Sequence, residues 1–318
     1  MRGREFFWLL IFLLLPLLPI WATGPGTHAA PFLTIGFGSR AQGLGNSFVA
    51  IADDASSIYF NPAGLVGIGN TLKLKHELEV SRSSWLQDIS INQLAFAQSK
   101  AGATSWGLAI TNLGVENLEQ RTAETDKPEG TFRAEDLSIS FALARRLGHS
   151  PLSLGLTTKI IQQRIANYQG QAYALDLGSQ MKFRMFRQPF AVGFSLRNLG
   201  SKLRLGNEAY PLPLSYHLGL AYQGLINQVF EVSFNENGLQ NASFGSEYWF
   251  LGVFGIRGGY LANARNTSTS NIVGGIPFRP GFTGGFGFRV ANALGIDYAF
   301  VPFGDLGFAQ RLTLGYRF

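Results

Sequence analysis

Phe308-Ala309-Gln310-Arg311-Leu312-Thr313-Leu314-Gly315-Tyr316-Arg317-Phe318 closes the chain with a period of two. Phe308, Gln310, Leu312, Leu314, Tyr316 and Phe318 form one face, mostly apolar and ending in aromatics. Ala309, Arg311, Thr313, Gly315 and Arg317 form the other, small or charged. Successive side chains of a strand point to opposite faces. In a soluble sandwich the apolar face would be core; in an outer-membrane barrel it faces lipid, and small and polar residues turn to the lumen.

The same alternation recurs upstream. Leu294, Ile296, Tyr298 and Phe300 oppose Gly295, Asp297 and Ala299, and Tyr173, Leu175 and Leu177 oppose Ala174, Asp176 and Gly178. Helical spacing fits these windows poorly, and their glycines weaken a helix further. Such runs fall near 70–80, 85–98, 102–113, 131–146, 151–164, 168–183, 189–198, 214–223, 227–236, 240–250, 253–262, 279–290, 292–302 and 308–318. Fourteen is an even number, as single-chain bacterial barrels require. The three longest connections, 114–130, 199–213 and 263–278, follow the third, seventh and eleventh strands, and the short ones follow even strands. Long loops at one end and short turns at the other are the outer-membrane arrangement. Lipid offers no hydrogen bonds, so the sheet must close and pair its first strand with its last. The expected fold is all-β: a closed 14-stranded antiparallel transmembrane β-barrel over 70–318, with an N-terminal plug in the lumen.

Composition agrees. Of 318 residues, 46% are hydrophobic and only 14% charged, with 39 glycines, 27 phenylalanines and no cysteine. Disulfides and thiolate metal sites are thereby excluded, and so much apolar content argues against disorder. A helical membrane protein would need repeated apolar runs of about 18 residues, and the one long run is N-terminal. There Arg2 and Arg4 precede an apolar stretch from Phe6 to Ile20, interrupted by Pro16 and Pro19 and followed by small residues. This reads as a secretory signal over 1–30, cut between about 22 and 30; a membrane anchor is the competing reading, weakened by the short stretch and its two prolines. The mature net charge of about +5, without a dense basic patch, does not suggest nucleic acid.

Residues 31–69 lack the alternation. A Gly-rich start (Gly36-Phe37-Gly38-Ser39-Arg40-Ala41-Gln42-Gly43-Leu44-Gly45) is followed by Ala52-Asp53-Asp54-Ala55 and by Asn61-Pro62-Ala63-Gly64-Leu65. Asp53 or Asp54 is expected to cap a short helix over 54–60, and Asn61-Pro62-Ala63-Gly64 to form the turn that ends it. Gly36-x-Gly38-x-x-Ala41 superficially matches a dinucleotide fingerprint but lacks its βαβ context. The four histidines, His28, His76, His149 and His217, are scattered, so no catalytic, metal or cofactor site is expected.

Charges within the strands (Lys159, Asp176, Glu247, Arg289, Asp297 and Arg311) fall on the small, polar faces and should point inward. An Arg or Lys facing lipid at mid-bilayer costs about 2–4 kcal/mol. They either line a polar path and grip the plug, or fill the lumen as a structural ion-pair network. Trp85, Tyr248, Trp249, Tyr298 and Tyr316 suit interfacial girdles.

The run from Gly36 to Leu65, with its ADDA and NPAGL elements, resembles the N-terminal hatch of the FadL superfamily of outer-membrane proteins. Trp85-Leu86-Gln87-Asp88, Asp176-Leu177-Gly178, Glu247-Tyr248-Trp249-Phe250 and the block from Asp297 to Gly307 resemble its PorV/PorQ branch. The resemblance implies a non-enzymatic barrel of the bacterial outer membrane in which Asp53, Asp54, Asn61, Pro62, Ala63 and Gly64 belong to a hatch or gate. It also implies that Leu314, Tyr316 and Phe318 form the C-terminal signal read by the barrel-insertion machinery. On the PorV/PorQ side the expected partners are secretion components and cargo proteins of a type IX-like system; on the FadL side, a small hydrophobic molecule. A purely structural role is the third reading.

Overall fold

The computed structural model describes residues 28–68, 75–84, 89–100, 104–121, 127–263, 272–273, 276–277, 281–291, 293–302 and 308–318. Residues 1–27 of the expected signal, Trp85-Leu86-Gln87-Asp88 and residues 303–307 lie outside them. The wall consists of β1 Lys75–Ser84, β2 Ile89–Ser99, β3 Ser105–Gln120, β4 Gly130–Arg146, β5 Leu152–Ile165, β6 Tyr168–Met185 and β7 Gln188–Gly200. It continues with β8 Ser215–Gln223, β9 Ile226–Asn235, β10 Gly238–Phe250, β11 Phe254–Asn263, β12 Gly281–Val290, β13 Leu294–Pro302 and β14 Phe308–Arg317. Each strand pairs antiparallel with its sequence neighbours, and β1 pairs with β14, from Glu77 opposite Arg317 to Ser84 opposite Gln310. His76 and Phe318 exchange backbone hydrogen bonds of 2.8 and 3.0 Å at the end of that seam. Among the described residues no strand of the wall is left as a free edge, which is the condition for a sheet in lipid.

The alternation decides what faces outward. On β4, Ile139, Phe141 and Leu143 are exposed, while Ser138, Ser140, Ala142 and Ala144 are buried. On β14, Leu312 and Leu314 are exposed and Arg311 and Thr313 buried. An apolar exterior around a closed, polar-lined ring has only one suitable solvent, and this is an outer-membrane barrel.

The structure departs from the sequence reading in several places, beginning with β1, which continues to Ser84 instead of ending near 80. Residues 114–120, expected in a loop, continue β3, and β3–β6 run 14 to 18 residues, beyond the 9–11 that cross a bilayer. That side of the wall therefore stands above the hydrocarbon. Within the long β7–β8 connection, Leu203–Leu205 pairs with Glu208–Tyr210 as a small hairpin.

Candidate functional site: the occupied lumen

Residues 28–68 lie against the inward faces of the strands. The segment contains two short helices, α1 Ser39–Gly43 and α2 Ser57–Phe60, and 3-10 turns at Pro31–Thr34 and Pro62–Gly67. It begins at the long-loop end, where Ala29 N donates to Pro211 O at 2.9 Å and His28 Nε2 lies 2.6 Å from Glu236 Oε1. It then sweeps around the interior. Ser39 bonds to Thr313 and to Arg311 O on β14, and Ser47 donates to Ser243 on β10 at 2.6 Å. Farther along, Asn61 donates to Ser179 O on β6 at 2.9 Å, and Ser99 at the short-turn end of β2 reaches Val66 O.

Glycine on the wall makes this approach possible. Gly155 pairs with Gly178, Gly193 with Gly219 and Gly245 with Gly259 across adjacent strands. A Cβ at Gly193 would collide with Val49 O, one at Gly178 with Asn61 Oδ1, and one at Gly259 with the backbone of Leu44 and Gly45. The segment's own apolar side chains, Phe37, Leu44, Phe48, Ile51, Ile58, Phe60 and Leu65, are almost completely buried together with wall alanines such as Ala95, Ala142 and Ala191. The core of this barrel therefore lies between segment and wall.

Two separate charge clusters lie in the lumen, and the first of them holds the segment. In the first, at the short-turn end, Glu247 accepts from Arg40 Nε and Nη2 at 3.0 and 3.2 Å, from Arg257 Nε at 2.8 Å and from Asn227 at 3.2 Å. Arg40 also reaches Asp53 at 2.5 Å and Asp54 at 3.1 Å, while Arg257 reaches Asp297 at 2.5 Å. Burial alone would raise the Asp53 carboxyl, but the Arg40 guanidinium outweighs it and holds the group below the ordinary aspartate range. In the second cluster, Lys159 Nζ lies 2.6 Å from Asp176 Oδ2 and 2.9 Å from Asn198 Oδ1. Asp176 Oδ1 accepts from Asn198 N at 2.7 Å, where the β6–β7 register shifts between Leu175 and Leu177. The carboxylate thus takes up a backbone donor at a bulge.

Beside this second cluster, Arg197 donates to Phe60 O at 3.0 Å and stacks on Tyr59 and Phe60. Tyr59, whose phenol burial pushes up to about 12, donates to Leu33 O at 2.6 Å. Glu231, paired with His217 at 2.9 Å, accepts the backbone N–H groups of Phe48 and Val49 at 2.8 and 2.9 Å.

All six strand charges named from the sequence take inward positions, but they do not form one network. Lys159 and Asp176 pair with each other; Glu247 and Asp297 meet through Arg257; Arg311 donates to Gly36 O at 2.6 Å. Arg289 stands apart, 3.8 Å over the Trp249 ring. That contact corrects the reading of Trp249 as an interfacial anchor: two residues after inward-facing Glu247, it shares the lumenal face. Asp54 closes a local turn, accepting from Ser56 N at 3.1 Å, and the helix that follows covers only Ser57–Phe60 rather than 54–60. Asn61 ends that helix as expected, with Gly64 N donating to Asn61 O at 2.9 Å, and its side chain also caps the 3-10 turn Pro62–Gly67 by accepting from Ala63 N. Arg40, Arg197, Glu231 and Arg257 were missed. Alternation along the strands was the available signal for the last three, while Arg40 lies where no period exists.

Cavities remain beside the segment. In a small one, Phe32, Leu33, Phe37, Ile58 and Tyr59 of the segment face Ala109, Thr111, Ser138, Ser140 and Lys159 of the wall across about 20 Å³, room for one water molecule. A larger space of about 490 Å³ opens at the short-turn end, beside Val66 and Gly67.

The profile described as "Uncharacterised protein family (UPF0164)" matches residues 24–183. No functionally curated protein matches the chain. Among solved structures, the Pseudomonas putida toluene transporter TodX aligns over 94% of this chain and 98% of its own, with a TM-score of 0.61 at 11% identity. The Ralstonia pickettii toluene transporter TbuX covers 89% and 98%, with 0.60 at 14% identity. A Pseudomonas aeruginosa FadL homologue covers 95% and 99%, with 0.57 at 12% identity. At such identities the likeness is one of fold.

Proposed function

This chain belongs to the uncharacterised protein family UPF0164, and from that premise and its barrel we propose a non-enzymatic outer-membrane channel that passes a small hydrophobic molecule when residues 28–68 shift. The observation that carries this reading is the way the segment is seated. It blocks the lumen, yet it is attached to the wall by side-chain contacts and packing rather than by strand pairing, so it can move without opening the sheet. The apolar lining of the small inner cavity comes mainly from the segment, and about 20 Å³ admits no aromatic hydrocarbon, so displacement must enlarge it before anything passes. Asp53, Asp54 and Asn61 to Gly64 are, in this reading, the hinge and seat of the plug. The toluene transporters of similar fold supply the class of molecule to try first.

The tightness of the closed lumen favours a second reading, the PorV/PorQ-like one, in which the barrel presents secreted cargo proteins and nothing crosses its interior. Purified barrel in liposomes, assayed for uptake of a monoaromatic probe, separates the two. Saturable uptake that rises when the segment is loosened supports the channel. Loosened variants that pass ions but no probe, together with recovery of secreted proteins by crosslinking in the native host, would overturn it.

A further inference from the structure

The 490 Å³ space at the short-turn end has a lining unlike the rest of the lumen. Arg146 ends β4, and Lys182 and Arg184 lie near the end of β6, all at inward positions of the alternation. His149 joins them from the β4–β5 turn. Among the described residues, no carboxylate lines the space and none is paired with Arg146, Lys182 or Arg184. Lys182 acts on Asp53 through space, but that carboxylate is already held by Arg40 at 2.5 Å. Elsewhere in the lumen Arg40, Lys159 and Arg257 each face a carboxylate. Arg197 and Arg311 give their protons to carbonyls of the segment. Here Arg146 and Arg184 face no carboxylate among the described residues, and Lys182 shares Asp53 with Arg40, around a space of the size that ligands occupy, about 300–1,000 Å³.

The pocket is also built rather than frayed. Gln180, 3% exposed, lines it while donating to Ala50 O and Ala52 O at 3.0 and 3.1 Å. Lys182 abuts Gly67, where an added Cβ would lie 3.3 Å from its Nζ. An occupant therefore touches wall and segment at once. The short-turn end of an outer-membrane barrel faces the periplasm.

We propose that Arg146, Lys182, Arg184 and His149 form a periplasmic binding site for a phosphate group. Two guanidiniums and an ammonium line one space, and guanidiniums bind phosphate oxygens bidentately while an ammonium adds charge. The group belongs either to an anionic phospholipid of the inner leaflet or to a soluble phosphate ester, and the site is independent of what crosses the barrel.

The test uses the purified mature protein in detergent, titrated with dihexanoylphosphatidylglycerol, with dihexanoylphosphatidylcholine and with inorganic phosphate, and read by native mass spectrometry and calorimetry. The phosphatidylglycerol is expected to bind one to one and at least tenfold more tightly than the phosphatidylcholine. R146Q/R184Q should weaken it about tenfold or more, the effect of losing charge-assisted hydrogen bonds. R145Q/R187Q, which removes the same charge beside the pocket, should change it less than about twofold. Inorganic phosphate that binds with the same dependence on the variants, without a gain from the lipid, assigns the site to a soluble ester instead. If neither probe binds, or if both double variants lose affinity equally, the proposal fails. Should R146Q/R184Q not fold to the heat-modifiable form, R184Q alone, at an exposed strand end, is held to the same criterion.

Discussion

Replacing Glu247 by glutamine should loosen the plug more than any other single change of comparable size. The carboxylate is almost completely buried and accepts four hydrogen bonds, two of them from Arg40 of the segment and one from Arg257 of the wall. A glutamine there would keep the shape but lose the charge, and its amide N–H would oppose a guanidinium N–H. Breaking a buried ion pair costs about 3–5 kcal/mol. Arg40 retains Asp53 and Asp54, and Arg257 retains Asp297, so the lower end, about 3 kcal/mol, applies. At about 1.4 kcal/mol per tenfold, the displaced population rises on the order of 100-fold. The chain has no cysteine, so one introduced thiol reports alone. Ser57 is fully buried and its hydroxyl has no partner among the described residues, which makes Ser57→Cys a mild reporter. Where opening and reclosing are fast, modification by a soluble maleimide tracks the open population. The reasoning is refuted if E247Q accelerates labelling less than about threefold, or if R40Q and E247Q are additive in a double-mutant cycle.

Further outcomes follow from the same contacts. Gly193→Ala should unseat the segment and speed Ser57→Cys labelling, because the new methyl meets Val49 O, whereas Gly258→Ala, with open space around it, should not. Asp53 has a depressed carboxyl pKa in the folded protein, so its contribution is present above the ordinary aspartate value of about 4 and is lost as pH falls below that; the reconstituted barrel should leak more below about pH 4, and the part of that rise due to Asp53 should be absent in Asp53→Asn. Leu156→Arg puts a cation on the lipid face and should cost about 2–4 kcal/mol in lipid-vesicle unfolding. Removing Phe318 deletes both backbone bonds to His76 and a ring stack at 5.1 Å; the yield of heat-modifiable barrel should fall several-fold in refolding assays.

The wall was legible because two solvents impose a period of two on every strand. Boundaries near 131–146, 151–164 and 253–262 lie within a residue or two of β4, β5 and β11. Where the period fails, the sequence indicated a short helix and the turn after it but not what the segment touches. The segment's partners lie as far as 275 positions away, as between Gly36 and Arg311, and no local pattern encodes them. The paired glycines were visible only as small residues on inward positions, without the backbone that needs the space. Trp249 shows the opposite lesson: its parity with Glu247 already placed it inside, and its position near a strand end outweighed that information wrongly.

The path of residues 28–68 also constrains biogenesis. Residue 28 sits among the long loops, whereas residue 68 approaches the opposite rim from which β1 begins, so residues 28–68 occupy the hollow from one mouth to the other. Ring formation around that thread and its lodging against the staves become interdependent. Lesions in the contact surface should consequently appear as failed assembly and periplasmic proteolysis before they appear as altered permeability.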